Sequence, residues 1–170
     1  MSQTFATSII AAGFDFKSFK TWSSLDGGGF QYTLLHNGNP VATVMNDGNG
    51  GPTLIAWAQE GGATPAQIKK AAAAVKNAAA AKIAMNALLA ATPPQHFHGM
   101  DLTVDAEWVA DELVNIAQKR KALRNKTLFL VNGIEYQIKS AYNGSVAAYI
   151  KGKYPTAIIL NEDPAYTVAA

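Results

Sequence analysis

At 170 residues with no cysteine, this chain excludes a disulfide framework, a thiolate metal site and a cysteine nucleophile. Its net charge of +2 is too small to argue for nucleic acid by itself. Apolar residues at 49% against 15% charged are a globular balance, and the length suffices for a buried core, so we read one α+β domain over 1–170.

Met1 to Ala12 lack the basic n-region of a signal peptide. Phe14 to Trp22, with Phe14 and Phe16 alternating, reads as a strand. It opens a β-meander over 14–58 that is punctuated by Asp26-Gly27-Gly28-Gly29, Asn37-Gly38 and Asp47-Gly48-Asn49-Gly50-Gly51. Asn-Gly between apolar runs predicts a type I′ hairpin, because both central residues need positive φ. A two-residue turn would set Leu34 opposite Val41, Tyr32 opposite Thr43 and Phe30 opposite Met45. Pro40, with no N–H to give, belongs at a strand start or edge. Thr53 to Trp57 is the third strand of the meander.

Glycine loops can form concave anion-binding nests, which makes Gly28 and Gly50 candidate ligand-binding positions. Neither loop carries a phosphate fingerprint, and Asp47-Gly48-Asn49-Gly50 lacks the alternating acids of a calcium loop. Ordinary turn chemistry accounts for both, as it does for Asp26 and Asp47 as a carboxylate pair.

The segment 65–123 reads as two helices. Thr64 caps the first and Pro65 takes its first position; the helix runs to Ala91 and stops at Thr92-Pro93-Pro94. Ile68, Ala72, Val75, Ala79 and Ile83 define one face, and the alanine tetrads at 71–74 and 78–81 make the helix thin enough for close packing or helix pairing. Lys69, Lys70, Lys76 and Lys82 interrupt it, so no membrane span is expected. In the loop that follows, His96 and His98 can point to one side of an extended segment and are candidate metal ligands, but no third ligand is assignable. The second helix, Val104 to Leu123 with Thr103 as N-cap, buries Ala106, Val109, Leu113 and Ile116. Its acids come early and its bases late, an order that complements the helix dipole by a few tenths to about 1 kcal/mol per charge. The late bases include Arg120 and Arg124, candidate phosphate ligands. No aromatic residue interleaves with them for base stacking, so nucleic acid is disfavoured.

The segment 127–161 predicts hairpin, helix, strand. Asn132-Gly133 pairs Val131 with Ile134 and Phe129 with Tyr136 on an apolar face. The opposite, mixed face carries Leu128, Leu130, Glu135 and Gln137, and Leu128, Leu130 and Glu135 are candidate protein-binding residues. A short helix from Asn143-Gly144-Ser145 to about Ile150 leads to Thr156–Leu160, an all-apolar run expected as a buried strand. The whole is an α+β fold: antiparallel β-meander and hairpins packed with two long helices and a short C-terminal βαβ-like unit. Asn161 to Ala170 is expected to be loosely held.

Trp22-Ser23-Ser24-Leu25-Asp26-Gly27-Gly28-Gly29-Phe30, with Asn46-Asp47-Gly48-Asn49-Gly50-Gly51 and Ile158-Ile159-Leu160-Asn161-Glu162, resembles short uncharacterised accessory proteins of phages and other mobile elements. The resemblance implies a context, the host cytoplasm, and a mode of action, antagonism of host defence by binding a protein or sequestering a small nucleotide. It carries over no catalytic residue. No nucleophile elbow, zinc-protease helix, Walker loop or dinucleotide fingerprint is present. The expectation is therefore a non-enzymatic binding protein without a cofactor, acting on a host protein or nucleotide. Two alternatives stand beside it: a small metal-dependent hydrolase using His96 and His98, and a homo-oligomeric module assembled through the alanine-rich helix.

Overall fold

A computed structural model of the chain describes residues 5–24, 27–97 and 100–167, with the side chains of 95–97 excepted. It is an α+β fold in two compact units, Met1–Leu113 and Val114–Ala170. Among the described residues no helix is long and apolar enough to cross a membrane.

In the first unit a short helix α1 (Phe5–Ala11) precedes a four-stranded antiparallel meander in sequence order: β1 (Phe14–Ser24), β2 (Gly27–His36), β3 (Asn39–Asn46) and β4 (Leu54–Trp57). Asn37 and Gly38 both take positive φ, 50° and 75°, as the two-residue turn requires. The predicted register does not hold beyond that turn. Leu35 pairs with Pro40 but Leu34 with Ala42, so Val41 is an extra residue. Tyr32 then faces Val44 and Phe30 faces Asn46. Pro40 cannot donate to the ladder, and the bulge beside it takes up the mismatch. The bulge turns both Val41 and Ala42 inward, where strict alternation would bury only one. A second bulge lies in β1, with Ser18 at φ 56°.

α2 (Pro65–Ala91) has the predicted limits and a full capping box between Thr64 and Gln67. Its buried side is not the one carrying the isoleucines. Ala78, Ala81, Met85 and Leu88 are buried where α2 packs on β3, while Ile68 and Ile83 are 53% and 72% exposed. Alanine lets the helix axis approach the sheet; a branched isoleucine on that side would hold it away. A small hairpin follows, β5 (Gln95–Phe97) with β6 (Met100–Leu102). α3 (Ala106–Leu123) starts later than predicted. Asp105, rather than Thr103, receives the free N–H groups of Glu107 and Trp108.

In the second unit β7 (Thr127–Val131) pairs with β8 (Ile134–Ile138) in the predicted register, with Asn132 and Gly133 at φ 52° and 80°. α4 (Gly144–Lys153) is capped by Asn143 and leads to β9 (Ile158–Ile159). The sheet order is β8-β7-β9, and β7 runs antiparallel to both neighbours. β8 and β9 are thus parallel with β7 between them: a βαβ succession, but not one joining neighbouring strands. β9 is a two-residue edge strand with Ile158 54% exposed, so the run 156–160 is not a fully buried strand. Phe129, Ile150 and Ile159 form the core, flanked by Val131, Ile138, Val146 and Tyr154.

Of the tail expected to be loose, residues 161–167 are anchored. Leu160–Glu162 form a 3-10 turn, and Ala165 and Tyr166 are buried. The Asn161 side chain donates to the Lys126 carbonyl and accepts from the Leu128 N–H, standing in as one more rung beside β7.

Candidate functional site

The glycine loops of the first unit are built into each other. Trp22 lies opposite Gly29, its indole over the space a β-carbon would fill, and its Nε1 donates to the Asp47 carbonyl at 3.3 Å. Gly48, at φ 80°, presses against the backbone of Gly28 and Gly29, and the Ser24 hydroxyl donates to its carbonyl. Two amides of the second loop already have side-chain acceptors: Gly48 N–H donates to Asn46 and Asn49 N–H to Asp47. Gly28 and Gly50 are both exposed, on this self-bonded loop pair. Asp26 lies outside the described residues.

The carboxylates nearest the meander also have structural work. Thr53 is buried; its N–H donates to Glu107 and its hydroxyl to Asp111, tying the approach to β4 to the start of α3. Tyr32, at 1% exposure, donates to the Ala110 carbonyl one turn along. Burial raises the Asp111 carboxyl above its usual range, with Glu107 and Asp105 adding to the rise against the Thr53 hydrogen bond. Burial, then the charge of Asp111, likewise pushes the Tyr32 phenol far up, so it stays a donor.

Gly28 and Gly50 belong to the first unit, and Arg120 and Arg124 to the second. Arg120 Nε donates to the Ala165 carbonyl at 3.1 Å and so holds the C-terminal segment; Arg124 is exposed. The expected protein-binding face divides. Leu128 is 5% exposed and part of the core, Leu130 is half-buried, and Glu135 is exposed in an ion pair with Lys119 at 3.3 Å. His98 lies outside the described residues; His96 is in β5, its side chain likewise not described. Among the described residues, no three or more histidines and carboxylates stand together as a metal group.

The second unit gathers a different set. Phe129 on β7, Tyr136 on β8 and Tyr154 after α4 bring three rings together at centroid separations of 5.7 to 6.4 Å, within 17–34° of parallel. The Lys153 ammonium lies 5.4 Å from the Tyr154 ring centre and 5.8 Å from that of Tyr149. Ile134, Tyr136 and Tyr149 of this unit are 60%, 44% and 56% exposed. Hydrogen bonding to Tyr149, then to Tyr154, raises the Lys153 pKa, so the cation persists through the physiological range.

Beyond this face, Glu162 accepts from the Tyr142 hydroxyl and from Lys151 at 2.9 Å. Those two donors, in that order, hold its carboxyl below the usual range. Charge is divided as unevenly as the tyrosines, five of whose six lie in residues 114–170. Residues 114–170 hold eight of the fourteen lysines and arginines and three of the twelve acids, a net +5; residues 1–113 hold six and nine, a net −3.

The sequence signal for this face was present but scattered. Tyr136, Tyr149 and Tyr154 come from a strand, a helix and the residue that caps it, and only the β8–α4 arrangement joins them. The charge division is legible from sequence once the boundary at Leu113 is known. No protein-family model, curated protein or solved structure matches this chain.

Proposed function

We propose that this protein acts by binding rather than catalysis, and that its contact surface for an anionic partner is the tyrosine–lysine face of the C-terminal unit. The observation that carries this is the coincidence of a net +5 charge with the exposed Tyr149 and Tyr136 flanking the Lys153–Tyr154 pair. Exposed aromatic and cationic groups supply contact area and attraction together. The carboxylates with displaced pKa values are already committed, Asp111 to Thr53 and Glu162 to Tyr142 and Lys151. The resemblance to accessory proteins of mobile elements supports a role in which occupying a host component is the activity, as in defence antagonism.

Retention on a heparin matrix tests the placement. K153E in the second unit and K76E in the first change the net charge equally. The reading predicts that only the former elutes at clearly lower salt than the wild type. Equal losses in both variants, or no retention of the wild type at low salt, would contradict it.

A further inference from the structure

Resting on that reading, we infer that the anionic partner is a single-stranded nucleic acid, with bases stacking on Tyr149 and Tyr136 and the phosphate chain drawn to Lys153. A generic anionic surface needs only charge. This face offers a cation, Lys153, together with exposed ring area, the two kinds of group that single-strand binding uses: cations for the backbone and aromatic faces for the bases.

Three observations favour a strand over an acidic protein or a duplex. First, Tyr149 and Tyr136 are 56% and 44% exposed although each is already in contact with a neighbour, Tyr149 with Lys153 and Tyr136 with Phe129 and Tyr154. Ring area is thus both held in place and open to solvent. Second, Lys153 lies 5.4 Å from the Tyr154 ring centre and donates to the Tyr149 hydroxyl at 3.4 Å, so a phosphate paired with it brings the adjoining base beside both tyrosines. Third, Tyr136 sits on β8, an edge strand of the three-stranded sheet, and Tyr149 on a helix of ten residues, both exposed to solvent. A duplex hides its base faces, and only an unpaired strand can present them.

The amino-acid order alone disfavours this ligand, since the basic run 119–126 contains no aromatic residue. Folding changes that premise by bringing Tyr149 and Tyr154 to a different lysine, with Tyr136 stacked on Tyr154.

The test is fluorescence anisotropy of the full-length protein with three labelled probes of equal length: a thymine homopolymer, its abasic counterpart and a duplex. The homopolymer should bind at least several-fold more tightly than either of the others. Y149A should lose about tenfold in affinity, the scale of one stacked base, while Y149F, which keeps the ring, should stay close to wild type. K153Q should lower the slope of log affinity against log salt by about one phosphate contact. Equal binding of the abasic and thymine strands would overturn the inference and leave the charge-based reading standing. Failure of all three probes and of heparin to bind at low salt would overturn both.

Discussion

Gly48 shows how single residues set the meander. Its φ of 80° is one that L side chains rarely adopt, and an added β-carbon would stand 2.6 Å from the Gly29 nitrogen. Gly48→Ala therefore meets backbone strain of about 1–2 kcal/mol and overpacking of about 1–3 kcal/mol. Urea unfolding should show a loss of roughly 2–4 kcal/mol, against little change for Gly50→Ala beyond the φ strain, because nothing lies within 4 Å of that site. The two displaced carboxyls act with opposite sign on acid stability. Asp111 holds a proton more readily folded than unfolded, so its charged form opposes folding, and that opposition fades as pH falls through its raised pKa. Glu162 is held below the usual range, so its contribution is present above the ordinary carboxyl pKa and is lost as pH falls through its own. Asp111→Asn keeps an acceptor for Thr53 without the charge. It should match or exceed wild-type stability at neutral pH, by less than about 1 kcal/mol given its partial exposure. Glu162→Gln should flatten the acid limb of the stability curve. A marked loss in the Asn variant at neutral pH would show that the Asp111 charge itself is needed.

Elements were legible where a local rule forces the backbone. Both Asn-Gly turns follow from the need for positive φ, and the limits of α2 follow from Thr64-Pro65 at one end and Pro93-Pro94 at the other. Non-local outcomes were not legible. The bulge at Val41 depends on how β3 meets β2 around Pro40, and the buried side of α2 depends on the sheet it lies against. Periodicity identified the isoleucine face of α2 and gave no sign that the sheet would take the alanine side. That choice is testable by paired substitutions. Ala81→Leu, buried against the sheet, should cost about 1–3 kcal/mol through overpacking, and Ile83→Lys should change stability by no more than about 0.5 kcal/mol. The reverse order in thermal or urea unfolding would mean the isoleucine face is the packed one. The face left open carries Lys69 and Lys76 with no acid on the helix, so pairing two copies of α2 brings like charges together. Sedimentation of the wild type at low salt is expected to give a monomer mass.

At the scale of the molecule, the near-neutral total conceals a division into a first unit of −3 and a second of +5. The +2 sum suppressed nucleic acid as a reading, because the sign of a chain's field is set locally and is screened within about 10 Å at moderate salt. The tyrosine cluster was equally hidden, for its members are close only after β8 and α4 form. The most direct test of a binding face in the C-terminal unit is amide hydrogen exchange of the full-length protein with and without a saturating thymine homopolymer. Slowed exchange confined to β8, α4 and the turn at Tyr154 is the predicted result. Protection that falls instead within residues 5–113, or no change anywhere, would contradict the account.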